Sequence, residues 1–180
     1  MLGYLRRAGY TFLREPEKAD VVILNTCGFI KPAQEEAAQA LKEAAALKKR
    51  YAHKTIVAAG CHVQRNEEAL RLEYPEIDVW LGVNDFDKIV PAIERRPFVH
   101  GRKAFLCSHK TPRLLSTPSS WAYLKISEGC SHECAFCAIP LIKGPYRSRS
   151  IPSIAAEAEA LAASGIKEID LISQDTTYFG

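Results

Sequence analysis

Two apolar runs of the same design, "ADVVILNTC" ending at Cys27 and "KTIVAAGC" ending at Cys61, constrain the fold of this 180-residue chain more than any other feature. Each is continuous in Val, Ile, Leu and Ala instead of alternating apolar with polar, and each is followed by a helical pattern. A strand that is apolar on both sides has to be covered on both sides, which is the condition of a parallel sheet flanked by helices. After the first run, Pro32 suits an opening helical turn, and "AQEEAAQALKEAAALKKR" is rich in helix formers with acids early and bases late. After the second, Asn66 is placed to cap "EEALRLEY" and Pro75 to stop it. A third unit, "IDVWLGVN" with "DFDKIVPAIE", repeats the pattern, and Pro91 is expected to kink or end its helix.

The opening, "MLGYLRRAGY", reads as a helix closed by Gly9 with a short strand near Tyr10 to Leu13, so the chain is expected to begin inside an α/β pattern whose first strand and loop are missing. Residues 95–120 lose the periodicity and collect Pro97, Pro112 and Pro118, which marks an interdomain linker with room for one short strand. The βα pattern then resumes with "WAYLKIS" as strand, a cysteine-rich loop, "IPSIAAEAEALAASG" as helix and "KEIDLIS" as strand. Two βα units cannot close a barrel, so this second unit is also expected to be cut short. The predicted division is residues 1–96 as an α/β domain incomplete at its start, 97–120 as linker, and 121–180 as the beginning of a second domain.

Composition sets limits. With 47% hydrophobic residues the chain can bury a sizeable core, and a net charge of +3 is too small to argue for nucleic acid despite local basic groups at Lys143, Arg147 and Arg149. "MLGYLRRAGYTF" holds no run of signal-peptide length, and no stretch approaches the roughly 18 apolar residues of a membrane span, so a cytoplasmic protein with no membrane association is expected. In a reducing compartment clustered cysteines are more often metal ligands or catalytic groups than disulfides.

Three of the six cysteines, Cys130, Cys134 and Cys137, fall within "EGCSHECAFCAIPLIKG" in the spacing C-x3-C-x2-C. Three thiolates on a short loop can hold three irons of a cubane and leave the fourth open. A closed zinc site needs a fourth ligand; His132 or Cys107 could supply one, but neither lies in a second C-x2-C pair. Cys27 and Cys61 each follow a predicted parallel strand, so both emerge on the carboxyl edge where α/β sheets bind ligands. Two small buried hydrophobes are the competing reading. His62 is expected near the Cys61 site without ligating, and Asn25 and Asn84 are turn or cap residues as readily as site residues.

The C-x3-C-x2-C spacing with Phe136 before the last cysteine, directly after a strand, resembles the signature of radical S-adenosylmethionine (SAM) enzymes. Together with "NTCGFI", "GCHVQR", "YLKISEGCSHECAFCAIPLIKGPYRSR" and "ISQDTTYFG", nearly the whole chain is similar to the methylthiotransferase family. Gly28 and Phe29 after "NTC" and "QDTT" at 174–177 are nearer the ribosomal-protein branch than the tRNA branch. The resemblance implies a methylthiotransferase N-terminal α/β domain followed by the first βα units of a radical SAM partial barrel of TIM type. It implies two 4Fe-4S clusters, one held by Cys130, Cys134 and Cys137 with SAM on its open iron, the other an auxiliary cluster with Cys27 and Cys61 among its ligands. A third auxiliary ligand is expected ahead of the first helix, outside this chain. Phe136, Gln174 and Asp175 are expected to bind SAM, while Arg147 and Arg149 read either as partners of its carboxylate or of an acidic part of the substrate, or as solvated loop charges. The implied reaction inserts sulfur at the β-carbon of an aspartate of ribosomal protein S-twelve, free or on the small ribosomal subunit, and methylates it. A low-potential donor such as flavodoxin or ferredoxin would supply electrons. As given, the chain is expected to be inactive alone. An adenosine in tRNA as substrate, or a non-catalytic cluster- or zinc-stabilised module that docks on the ribosome, remain the alternatives.

Overall fold

The computed structural model describes residues 1–180. Val21–Thr26 (β1), Thr55–Gly60 (β2) and Val79–Leu81 (β3) form a parallel sheet in the order β1-β2-β3. Val57 pairs with Ile23 on one side and with Val79 on the other, and every residue of β2 from Ile56 to Gly60 is buried. Alternation along β2 feeds two cores. Ile56 and Ala58 pack with Leu41 of Lys31–Arg50 (α2) and with Val63 and Leu70 of Cys61–Glu73 (α3). Val57 and Ala59 pack on the other face with Leu5 of Leu2–Arg7 (α1) and with Ile89 and Ile93 of Ile89–Ile93 (α4). Helices on both faces account for the uninterrupted apolar run, and each fully buried Leu, Ile or Val contributes about 1.5–3 kcal/mol. Asp78 fixes the start of β2: one carboxylate oxygen accepts from the Ile56 amide at 2.8 Å, and both accept from Lys48 Nζ at 2.9 Å.

Two expectations about local structure need correction and one needs completing. Tyr10 to Leu13 form no strand. The Tyr10 amide turns back to the Leu5 carbonyl, and the segment runs irregularly beside β1, lining a cavity of about 440 Å³ with α1 and the outer side of β1. β propensity alone did not suffice where no ladder partner reaches these residues. Asn66 stands, as expected, where the helical segment over "EEALRLEY" begins, with non-helical φ −134°, ψ 23°. A first helical turn from Cys61 precedes it, so α3 is two segments joined at a kink, and the Asn66 side-chain amide lies 3.2 Å from His62 Nδ1. The linker contains no strand. It is nonetheless tied down at both ends, by Phe105 N–H to the Val83 carbonyl at 2.9 Å and by Arg113 to the Tyr123 carbonyl at 2.7 Å. Pro91 falls in the first turn of α4, where a proline needs no amide partner.

Beyond the linker, Trp121–Lys125 (β4) pairs in parallel with Glu168–Ile172 (β7), in register from Trp121 opposite Glu168 to Lys125 opposite Ile172. Ile151–Ala163 (α6) makes the crossover, and Leu161 packs with Ala122, Leu124 and Ile166. Between β4 and α6 lie three short elements the sequence pattern did not reveal. Ser127–Glu128 (β5) pairs antiparallel with Arg147–Ser148 (β6), and Ile139–Lys143 (α5) sits inside the loop they close. No helix is long and apolar enough to cross a membrane.

Candidate cofactor site

Cys27 follows β1 and Cys61 follows β2, and the register that pairs Thr26 with Gly60 brings the two strand ends together. Two glycines allow the approach. A Cβ on Gly60, whose φ is +114°, would stand 2.4 Å from the Thr26 carbonyl oxygen, and a Cβ on Gly28 would stand 2.7 Å from His62 Cα. The turn after Cys27 therefore lies directly on the first turn of α3. Thr26 Oγ1 donates to the Ala59 carbonyl at 2.8 Å, and the Gly28 carbonyl accepts from Gln34 and Arg65 at 3.0 and 3.1 Å. Cys27 is exposed and Cys61 half-buried. Burial pushes the Cys61 thiol up from its ordinary value, the Lys143 ammonium pulls it back, and Cys27 is near enough to push it further. Burial and then Arg65 push His62 down, favouring its neutral form.

Lys143 belongs to α5, in the second unit, and α5 packs against α3, which begins at Cys61. Cys61 also packs on the small cluster of Val83, Ala104 and Ile142. Lys143 is held by Glu128, which is 4% exposed; Nζ lies 3.2 Å from one carboxylate oxygen while Lys125 pairs with the other. Sequence reading missed this group, because Glu128 and Lys143 look like ordinary loop charges until β5 and α5 fold them inward.

The cysteine loop leaves β5 at Gly129. The Cys130 amide donates to the Gly144 carbonyl at 3.2 Å, and the Cys137 amide to the Cys134 carbonyl at 3.0 Å, closing a turn. Cys130 is buried, Cys134 exposed and Cys137 half-buried. Nowhere do three Cys, His, Asp or Glu side chains converge at metal-binding spacing. The donor set nevertheless fits an open iron–sulfur site: three soft thiol ligands within eight residues, on an irregular loop at the carboxyl end of a parallel strand. Phe136 is 94% exposed beside Cys137. Gln174 and Asp175, just past β7, reach the same loop. Gln174 Oε1 accepts from the Gly129 amide at 3.1 Å, and Asp175 accepts from His132 Nε2 at 2.6 Å. The Thr177 hydroxyl and then His132 hold the Asp175 carboxyl below its ordinary value.

Other candidates lie elsewhere. Arg149 is 4% exposed and committed to Glu157 at 2.6 Å and to the Lys125 carbonyl at 2.6 Å, which removes it from any cofactor or substrate carboxylate. Arg147 donates to the Ala104 carbonyl, tying down the linker. Cys107 sits against Arg149, with the sulfur 3.8 Å from Nη1. Asn84 holds a turn by donating to the Gly101 carbonyl at 2.9 Å. Asn25, on β1, is exposed with its side-chain oxygen beside Gly60.

Residues 1–82 match the Uncharacterized protein family UPF0004. Over its whole length the chain is 43% identical to the ribosomal protein uS12 methylthiotransferase RimO of Dictyoglomus thermophilum, covering 42% of that protein. It is 45% identical to that of Anaeromyxobacter sp. strain Fw109-5 and 46% to that of Myxococcus xanthus, covering 39% and 38% of them. The chain is similar over its whole length to methylthiotransferases of this kind. It spans about two-fifths of the length of these curated relatives. Among solved structures it is similar to the radical SAM methyltransferase TsrM of Kitasatospora setae, with a TM-score of 0.54 and 18% identity over 88% of this chain and 37% of the other. That likeness bears on the fold, and it agrees with the expected order of an α/β sheet followed by the first parallel βα unit.

Proposed function

We propose that the protein is a radical SAM methylthiotransferase that inserts sulfur at the β-carbon of an aspartate of ribosomal protein uS12, the S-twelve of the small subunit, and methylates it. The observation that carries this reading is the packing of Cys61, with Cys27 on the neighbouring strand end, against Ile142 of α5, which follows Cys130, Cys134 and Cys137 in the segment that β5 and β6 close. A single SAM-cleaving centre needs only the loop, whereas sulfur insertion needs a second site close to it.

In this reading Cys130, Cys134 and Cys137 hold one 4Fe-4S cluster and Cys27 and Cys61 contribute to a second. A reduced cluster with SAM bound supplies homolytic cleavage of the sulfonium and hence hydrogen abstraction from an unactivated carbon. The chain's own residues prepare the place. Phe136 offers an exposed aromatic face beside Cys137 for the adenine, and Gln174 and Asp175 line the mouth of the β4 and β7 pair. Burial holds the Cys61 thiol up, and the Lys143 ammonium beside it opposes part of that shift. The proposed setting is cytoplasmic, with uS12 or the small subunit as partner and a flavodoxin or ferredoxin as electron source.

The test is anaerobic iron–sulfur reconstitution of the whole gene product followed by SAM and dithionite. Release of 5′-deoxyadenosine is expected. A colourless zinc protein, or a brown one inert to SAM, would leave only the non-catalytic ribosome-docking module.

A further inference from the structure

The segment 173–178 that follows β7 is built as a strap across the cysteine loop. At one end the Ser173 hydroxyl meets that of Ser127, at the root of the loop. At the other end the Tyr178 ring stands edge-on to both Tyr146 and His132, with centroids 5.1 and 5.9 Å away. Between them, Asp175 is locked by its own turn. Its Oδ1 accepts from the Thr177 amide at 2.9 Å and the Thr177 hydroxyl at 2.7 Å, and its amide donates to Ser173 Oγ at 3.1 Å. Only Oδ2 remains free to point outward, and it meets His132 Nε2, midway between Cys130 and Cys134. Gln174 holds the loop one residue before Cys130, through the Gly129 amide.

We propose that this strap is a latch that sets the spacing of the cysteine loop, with Asp175 a positioning residue acting through His132, and Gln174 acting through Gly129, in place of direct contact with SAM. The inference rests on the assignment of Cys130, Cys134 and Cys137 as cluster ligands. The loop has no helix or ladder of its own between Gly129 and Ala138, so two side chains from outside it do what secondary structure would otherwise do. Ligands held near their final spacing before the cluster enters cost less to order when it does.

The experiment uses the whole gene product. In the cluster-free, reduced protein, the rate of Cys130 alkylation by iodoacetamide is measured by mass spectrometry, with Cys61 and Cys107 as internal references. Asp175→Ala and His132→Ala should each speed Cys130 labelling by about fivefold to tenfold, the scale of one lost hydrogen bond between partly exposed groups. The double variant should do no more than either single one. Asp175→Asn should restore the native rate, because its amide can donate to the other tautomer of His132 while its oxygen still accepts from Thr177. Unchanged Cys130 labelling, additive effects, failure of the Asn rescue, or equal acceleration at Cys61 and Cys107 would each overturn the latch. After reconstitution, SAM affinity read from the spectrum of the reduced cluster should weaken alike in the two alanine variants; weakening in Asp175→Ala alone would assign Asp175 to SAM instead. A wild-type protein that takes up no cluster would refute the functional reading while the labelling result still decides the latch.

Discussion

Replacing Gly60 by Ala tests the convergence of Cys27 and Cys61. Gly60 has φ +114° and ψ −161°, a conformation essentially reserved for glycine, and an alanine there carries about 1–3 kcal/mol of backbone strain. The new Cβ would also lie 2.4 Å from the carbonyl oxygen and 3.1 Å from the amide nitrogen of Thr26, backbone atoms of the adjoining strand that cannot swing aside. Forcing that contact costs a further 1–3 kcal/mol, about that of overpacking in a tight core. The total is about 2–6 kcal/mol. Gly165→Ala is the matched control, with φ +98° and nothing within 4 Å of its Cβ, so it carries conformational strain of about 1–2 kcal/mol without the clash. Stiffening of the unfolded chain is the same in both and cancels. Urea unfolding followed by circular dichroism should show Gly60→Ala lowering the midpoint by about 1 M or more beyond Gly165→Ala, at a slope of about 2 kcal/mol per molar urea. Equal midpoints would mean that the ends of β1 and β2 are not pressed together, and the proximity of the two cysteines would lose its structural basis.

Leu41→Ala, at a fully buried position between α2 and the sheet, should cost about 2–5 kcal/mol in the same assay, against near-neutral changes at exposed α2 positions. Tyr74 is buried, and its hydroxyl has no hydrogen-bond partner of ordinary geometry; desolvation, with Glu73 beside it, pushes the phenol up to about 12. The unfolded chain releases that proton first as pH passes about 10, so stability should fall between about pH 10 and 12. Tyr74→Phe should remove that part of the alkaline loss while costing little at neutral pH, as monitored by melting temperature against pH; an unchanged alkaline slope would contradict it. Cys134→Ala removes an exposed thiol and should leave folding within about 0.5 kcal/mol of the parent. Iron uptake should nevertheless fall and SAM cleavage disappear; unchanged cleavage would refute the ligand assignment.

The sheet was legible because its signals are strong and local. "VVILNT" and "TIVAAG" are apolar on both faces, and Pro32, Pro75 and the helix formers of α2 act within a few residues of where they stand. The cysteine spacing was legible for a different reason, since C-x3-C-x2-C is a chemical constraint that survives any uncertainty about folding. What escaped depends on partners far along the chain. β5 and β6 are two residues each and exist only because Ser127 finds Ser148 and Glu128 finds Arg147. Arg149 reads as a carboxylate partner or a solvated loop charge until Glu157 of α6 is brought against it, and nothing in the sequence links Asp175 to His132 in the cysteine loop. At Tyr10 to Leu13 the error ran the other way, with propensity for a strand but no neighbour to pair with.

The central claim is sulfur transfer to a ribosomal-protein aspartate, and the most direct test is product analysis. The reconstituted whole gene product is incubated anaerobically with SAM, sulfide and reductant, together with both purified uS12 and tRNA, and each is digested and weighed by mass spectrometry. A methylthio increment on one aspartate of uS12, lost in Cys61→Ala as well as in Cys134→Ala, is the predicted result. Methylthio-adenosine in the tRNA with unmodified uS12 would contradict it.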